Sequence, residues 1–208
     1  MSLNIITKTY TEPPISESEI LRYSGCKCAD SETLLLLNSC MDEAKRELSY
    51  NVCYLELPIS INGISCDFGC FSVKSAQLSR NLGGCKSVIV FSATVGVGID
   101  RLISKYTRLS PAKALMLQAI GSERVEALCD AFCDELKEEK GVILRPRCSP
   151  GYGDLPLSIQ KDIFRVLESS KRIALSLNDN LIMSPTKSVT AFVGIIGDES
   201  DHSQRGVL

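Results

Sequence analysis

Apolar and polar positions alternate from Ile5 to Tyr10, which predicts a first strand ended by Pro13-Pro14. Ser16 and Glu19 have the spacing of a capping box and Gly25 supplies a stop, so a short helix is expected between them. Leu34, Leu37, Met41, Ala44 and Leu48 then recur at intervals of three and four, predicting a second helix over 31–48 with one buried stripe. The period changes to two at Cys53, Leu55, Leu57, Ile59 and Ile61. These lead into Asn62-Gly63, the dipeptide of a tight hairpin, with a returning strand over 64–73.

A short helix ending at Gly83-Gly84 precedes the apolar run 87–94, which reads as a buried strand, and a further helix is expected from about Ile99. Ser110-Pro111 sets a cap and a proline at the head of a long helical stretch that reaches about Lys140, with a break or bend expected near Gly121 and a stop at Gly141. Beyond it the pattern predicts a short strand over 142–144, an irregular segment over 145–156, a helix over 158–169 and strands over 173–177 and 188–196. The polar tail 197–208 is expected to be mobile. Regular strand-helix alternation is missing, so the fold class is α+β, a mainly antiparallel sheet with flanking helices. No repeat or low-complexity linker divides the chain, and residues 1–196 are read as one domain.

Composition narrows the function classes. The 208 residues are 44% hydrophobic and 23% charged, with a formal net charge of -2, and no basic stripe is present to neutralise phosphates, so nucleic acid is not an expected partner. No apolar stretch reaches the roughly 20 residues that span a bilayer, and no export signal opens the chain. The expected location is cytoplasmic, where the ten cysteines would be reduced thiols.

Candidate chemistry thins out in the same way. Cys26-Lys-Cys28, Cys66 to Cys70 and Cys129 to Cys133 lack the Cys-x-x-Cys pairs or histidine partners of a zinc site, so no metal is expected. His202 is the one histidine and lies in the polar tail, which leaves no catalytic triad to build; no catalytic residue is assigned. Asp201, His202 and Gly206 do not make an Asp-x-His-x-x-Gly cobalt-ligand motif either. Thr94-Val-Gly96-Val-Gly98 is an anion-binding loop or a plain turn, and Glu126, Asp130 and Asp134, four apart on the long helix, are a ligand-facing stripe or a solvated face. In the segment 145–156, two arginines able to clamp carboxylates sit among prolines, glycines and Tyr152; a ligand clamp and a solvent-exposed loop are both open on the residues alone.

At this segment the sequence resembles the activation domain of cobalamin-dependent methionine synthase. Its signature, Arg-x-x-Pro-Gly-Tyr followed by a helix and then Met-x-Pro-x-x-Ser-Val, is met by Arg147-Cys-Ser-Pro150-Gly151-Tyr152, by Ile163-Phe164 and Leu167, and by Met183-Ser-Pro185-Thr-Lys-Ser188-Val189. Phe91-Ser-Ala-Thr94-Val-Gly96 and the helix bearing Glu126, Asp130 and Asp134 extend the likeness to residues 88–195.

The resemblance implies S-adenosylmethionine as the ligand. Arg147 would hold its carboxylate and Asp130, with Glu126 nearby, would lie near its amino group. Backbone around Ser149 and Gly151 would meet the adenine, and Tyr152 would line the pocket. Where the family has a tyrosine pair beyond the Ser-Val strand, this chain has Asp201 and His202. The chain shows no cobalamin, homocysteine or folate module. The resemblance therefore implies a stand-alone form that supports reductive methylation of cob(II)alamin on a separate methionine synthase or corrinoid protein, with flavodoxin or ferredoxin as electron donor. A non-catalytic S-adenosylmethionine sensor or corrinoid-protein chaperone is the alternative, and a cysteine redox protein would need paired thiols that the spacing does not supply.

Overall fold

The long apolar runs of the central strands require cover on both faces, and the structure, a computed structural model that describes residues 4–26 and 29–198, provides it with helices on either side of one sheet. Five antiparallel strands lie in the order β1 (Ile6–Tyr10), β2 (Tyr50–Pro58), β6 (Ser87–Thr94), β10 (Ser188–Asp198) and β7 (Val142–Leu144). Val52, Ile89, Phe91, Ala93 and Val193 face a core closed by α1 (Glu17–Ser24), α2 (Ser31–Ala44), α4 (Gly98–Leu109) and α5 (Pro111–Lys140). Cys53, Leu55, Val88, Val90 and Phe192 face the opposite core, under α3 (Ala76–Asn81), α6 (Gln160–Leu167) and α7 (Ser169–Ile173). The expected α+β class, with an antiparallel sheet and flanking helices, is the observed one.

Local chemistry explains most boundaries. Gly25 ends α1 in the left-handed conformation, and Gly141 does the same for α5. The Asn62-Gly63 turn joins β3 (Ser60–Asn62) to β4 (Ser65–Asp67), but with β5 (Ser72–Lys74) these form a separate small sheet. The expected continuous alternation from Cys53 to Ile61 is thus broken after Pro58. A second small sheet pairs β8 (Ser176–Leu177) with β9 (Met183–Ser184).

Three further expectations are corrected. The helix expected over 158–169 is a single 3-10 turn followed by α6 and α7, which part at Glu168, a residue held at φ 50. The strand expected to stop at 196 continues, and its Gly197 and Asp198 pair with Ile143 and Val142. Finally, α5 runs through Gly121 without interruption. The glycine serves a close approach instead: a Cβ there would stand 2.8 Å from Cγ of Lys187.

One buried charge ties the N-terminal segment to this frame. Arg124 on α5 is 0% exposed. Its Nη1 donates to the Pro13 carbonyl at 2.7 Å and Nη2 to the Pro14 carbonyl at 2.6 Å, while Nε and Nη2 donate to Glu123 at 2.5 and 2.7 Å. Glu123 in turn accepts from the Ser16 amide at 2.9 Å. The capping box is therefore half as the spacing predicts: Ser16 Oγ accepts from the Glu19 amide, whereas Glu19 turns to Arg22 and leaves the Ser16 amide to Glu123.

Removing one member of such a buried pair strands the other charge, which typically costs about 3–5 kcal/mol. Arg124→Met is expected to lower the unfolding free energy by that amount in urea denaturation. Arg124→Lys is expected to recover only part of it, because an ammonium cannot fork to two carbonyls and a carboxylate. An Arg124→Met midpoint equal to that of the wild type would contradict the assignment.

Candidate functional site

The irregular segment after β7 is fixed at three points. Cys148 exchanges two backbone hydrogen bonds with Phe192 on β10, at 2.9 and 2.8 Å, which lays the segment along the sheet edge. The Asn81 side chain donates to the Pro146 carbonyl at 3.1 Å. Asp154 closes the loop on α3: its carboxylate accepts from Ser75 Oγ at 2.5 Å, from the Ala76 amide at 2.6 Å and from the Gln77 amide at 3.1 Å. Free amides at a helix start favour an anion, so one carboxylate both caps α3 and sets the loop's height above the sheet.

Between these anchors lies a groove of about 330 Å³, within the range of small-ligand sites, lined by Gln77, Leu78, Glu126, Arg147, Ser149 and Tyr152 among others. Arg147 stands at its rim. Nη1 donates to Asp130 at 2.5 Å and Nη2 to Glu126 at 2.7 Å, so one guanidinium bridges two carboxylates a helical turn apart on α5. Burial works against the charge on Arg147, but Cys129, Asp130 and Glu126 beside it outweigh that and hold it above arginine's ordinary value. The Arg147 side chain is 23% exposed, against 44% for Glu126 and 69% for Asp130. Ion pairs with such wet partners contribute little to stability, and a competing carboxylate can replace them.

The six residues singled out in the sequence are not equally placed. Arg147, Glu126, Ser149 and Tyr152 share the groove, and Asp130 touches Arg147 from its far side, where it lines two neighbouring cavities of about 490 and 580 Å³. Gly151 turns the loop at φ 89 and spends its amide on the Leu155 carbonyl, and the Tyr152 amide goes to the Ser149 carbonyl. The Ser149 amide has no hydrogen-bond partner among the described residues. Tyr152, 71% exposed, stands over the groove mouth.

Other candidates resolve differently. At Gly98 a Cβ would stand 2.2 Å from the Glu47 carbonyl, so the glycine-rich turn after β6 answers to packing against the chain before β2. Among the described residues, no group of three or more His, Cys, Asp or Glu is placed to hold a metal, and the nine described cysteines are unpaired. Cys28, Asp201, His202 and Gly206 lie outside the described residues. No helix among the described residues is long and apolar enough to cross a membrane. Sequence reasoning missed Asp154, Gln77 and Leu78. Only Ser75, a good N-cap residue ahead of an apolar position, hinted that a helix start lies there.

Fold and groove together define an α+β protein whose antiparallel sheet edge and longest helix frame a groove in which Arg147 pairs with two carboxylates of that helix. The solved structure of a MetH reactivation domain bound to AdoHcy has this same fold, with a TM-score of 0.69 over 92% of this chain and 78% of that one, at 14% identity. No family model and no curated protein matches the chain by sequence.

The Asp154 contacts generate a pH signature. Its carboxyl is held below the usual carboxylate range by the Ser75 hydroxyl first and by the Gln77 and Ala76 amides after it. A group whose pKa is lowered on folding stabilises fully above its unfolded value, about 4, and loses that contribution as pH falls through the folded value. Asp154→Ala should therefore melt below the wild type at neutral pH, with the gap narrowing as pH drops below about 4. A gap independent of pH would show that the carboxylate is not what holds the loop.

Proposed function

We propose that the groove binds S-adenosylmethionine and that the protein supports reductive methylation of cob(II)alamin held by a separate methionine synthase or other corrinoid protein. The observation that carries this reading is Arg147, presented beside Glu126 and Asp130 at the rim of a groove of about 330 Å³ on the fold of a reactivation domain. Arg147 would exchange its helix carboxylates for the ligand's carboxylate in a bidentate pair. Asp130 and Glu126, so released, would take the amino group. The unpartnered Ser149 amide would meet the adenine alongside backbone near Gly151, and Tyr152 would cover the ligand.

Bound there, S-adenosylmethionine supplies an electrophilic methyl group to a cobalt(I) corrinoid on the partner, with the sulfur-carbon electron pair returning to sulfur. No residue of the chain need donate or accept a proton in that transfer. Its contribution is to hold the sulfonium at a fixed place and angle, which converts an encounter of two molecules into an oriented one. Flavodoxin or ferredoxin would supply the electron, in a cytoplasmic setting.

Calorimetry tests the ligand. The wild type is expected to bind S-adenosylmethionine, and Arg147→Ala to lose about 2 kcal/mol, roughly 30-fold in affinity, by removal of a charge-assisted contact. Equal affinities with the fold intact would remove Arg147 from the site. The partner role is tested by following cob(II)alamin to methylcobalamin in visible absorbance, on a candidate corrinoid protein with a low-potential reductant. A rate that does not respond to this protein for any such partner would leave an S-adenosylmethionine sensor in place of a reactivation partner.

A further inference from the structure

One polar side chain of the groove has no role in holding the fold. Gln77 lies in the first turn of α3, where the helix start is already capped. Ser75 Oγ accepts from the Leu78 amide at 3.0 Å, and Asp154 takes the Ala76 and Gln77 amides. The Gln77 carboxamide is exposed and has no hydrogen-bond partner among the described residues. The loop nevertheless makes room for it: Gly153 turns at φ 59, and a Cβ there would overlap Gln77 Oε1. Because the next residue, Asp154, holds the Gln77 backbone, the loop tip and the helix start carry this carboxamide as one unit.

We propose that Gln77 is a specificity-determining residue that reads the 6-amino group of the ligand's adenine. The inference rests on the S-adenosylmethionine reading above and adds to the backbone contacts a side chain that can tell one purine from another. With the ligand's carboxylate on Arg147 at the start of the loop, its far end falls toward Gly153 and Gln77. The surroundings there suit a flat ring. Leu78 and Leu155 are buried and apolar, and the exposed Tyr152 ring is placed to stack from above.

The chemistry of the edge then selects the base. A carboxamide sets a carbonyl acceptor beside an NH2 donor, and adenine sets its 6-amino donor beside a ring-nitrogen acceptor, N1 on one edge and N7 on the other. Both edges share the amino group, so the pairing depends on it whichever edge is turned to α3. Other side chains of the groove cannot form that pair: Glu126 only accepts, Arg147 only donates, and Ser149 and Tyr152 carry single hydroxyls. At an exposed position the low end of the range for a bidentate amide-adenine pair applies, roughly fivefold in affinity.

Calorimetry on the full chain, with S-adenosylmethionine and the analogue whose purine lacks the 6-amino group, tests this. The wild type is expected to bind the adenine ligand about fivefold more tightly. Gln77→Met keeps the length of the side chain without the amide, and in it the two affinities should converge while the melting temperature stays at the wild-type value. A loss of loop order alone would weaken both ligands together and leave their ratio unchanged. Equal binding of the two ligands by the wild type, or a preference that survives in the folded variant, would overturn the proposal. Should Gln77→Met not fold, Gln77→Ala serves in its place and is read in the same way. Failure of both ligands to bind would refute the S-adenosylmethionine reading and this proposal with it, whereas binding without preference refutes this proposal alone.

Discussion

A guanidinium wholly removed from water is tolerated only if its charge and donors are met, and Arg124 meets the charge with the adjacent Glu123 and four of its five N–H groups with that carboxylate and two proline carbonyls. That requirement fixes where 13–16 must run, and with it the entry of α1 onto α5. Because Glu123 also takes the Ser16 amide, the helix start and the buried charge form one network and cannot be arranged separately. The helix that this network secures is the one that presents Glu126 to the groove and both Glu126 and Asp130 to Arg147.

The same helix thus displays two arginine clusters of opposite character. At Arg124 the charges are dry, four of the five N–H donors are engaged by the chain, and exchange with solvent ions is closed off. At Arg147 the partners are wet, and the contacts are strong enough to hold the guanidinium in place but weak enough to be given up to a carboxylate. The difference comes from what lies above each residue: the N-terminal segment over one, and an open groove over the other. A buried ion pair supplies rigidity, and an exposed one on the same helix supplies the site we propose.

Much of this could be read from the chain. The Asn62-Gly63 turn, the stop at Gly25, the proline at the head of α5 and the apolar run of β6 are local signals, and the structure places each element where they indicate. Arg147 and its two acidic neighbours were also legible, through the motif and through the four-residue spacing on α5. What was not legible depends on distant partners. Nothing local shows that Arg124 is buried, since its acceptors lie 111 and 110 residues away. Asp154 reads as a loop residue until α3 is laid against it. Gly121 looks like a helix breaker because the residue that needs its missing side chain, Lys187, is far along the chain.

Glu123 and Glu126 are less than one helical turn apart, yet the first faces the chain's beginning and the second its latter half. The groove wall is assembled from three stretches that meet only in the folded molecule: the start of α3, the middle of α5, and 147–155. Trimming the chain to residues 88–195, where the resemblance is strongest, would remove the first of these and also 13–16, leaving Glu123 and Arg124 facing water on a helix still required to shape the groove. The recognisable part of the sequence is consequently smaller than the smallest part that can work, and a minimal fragment must keep its unremarkable first turn.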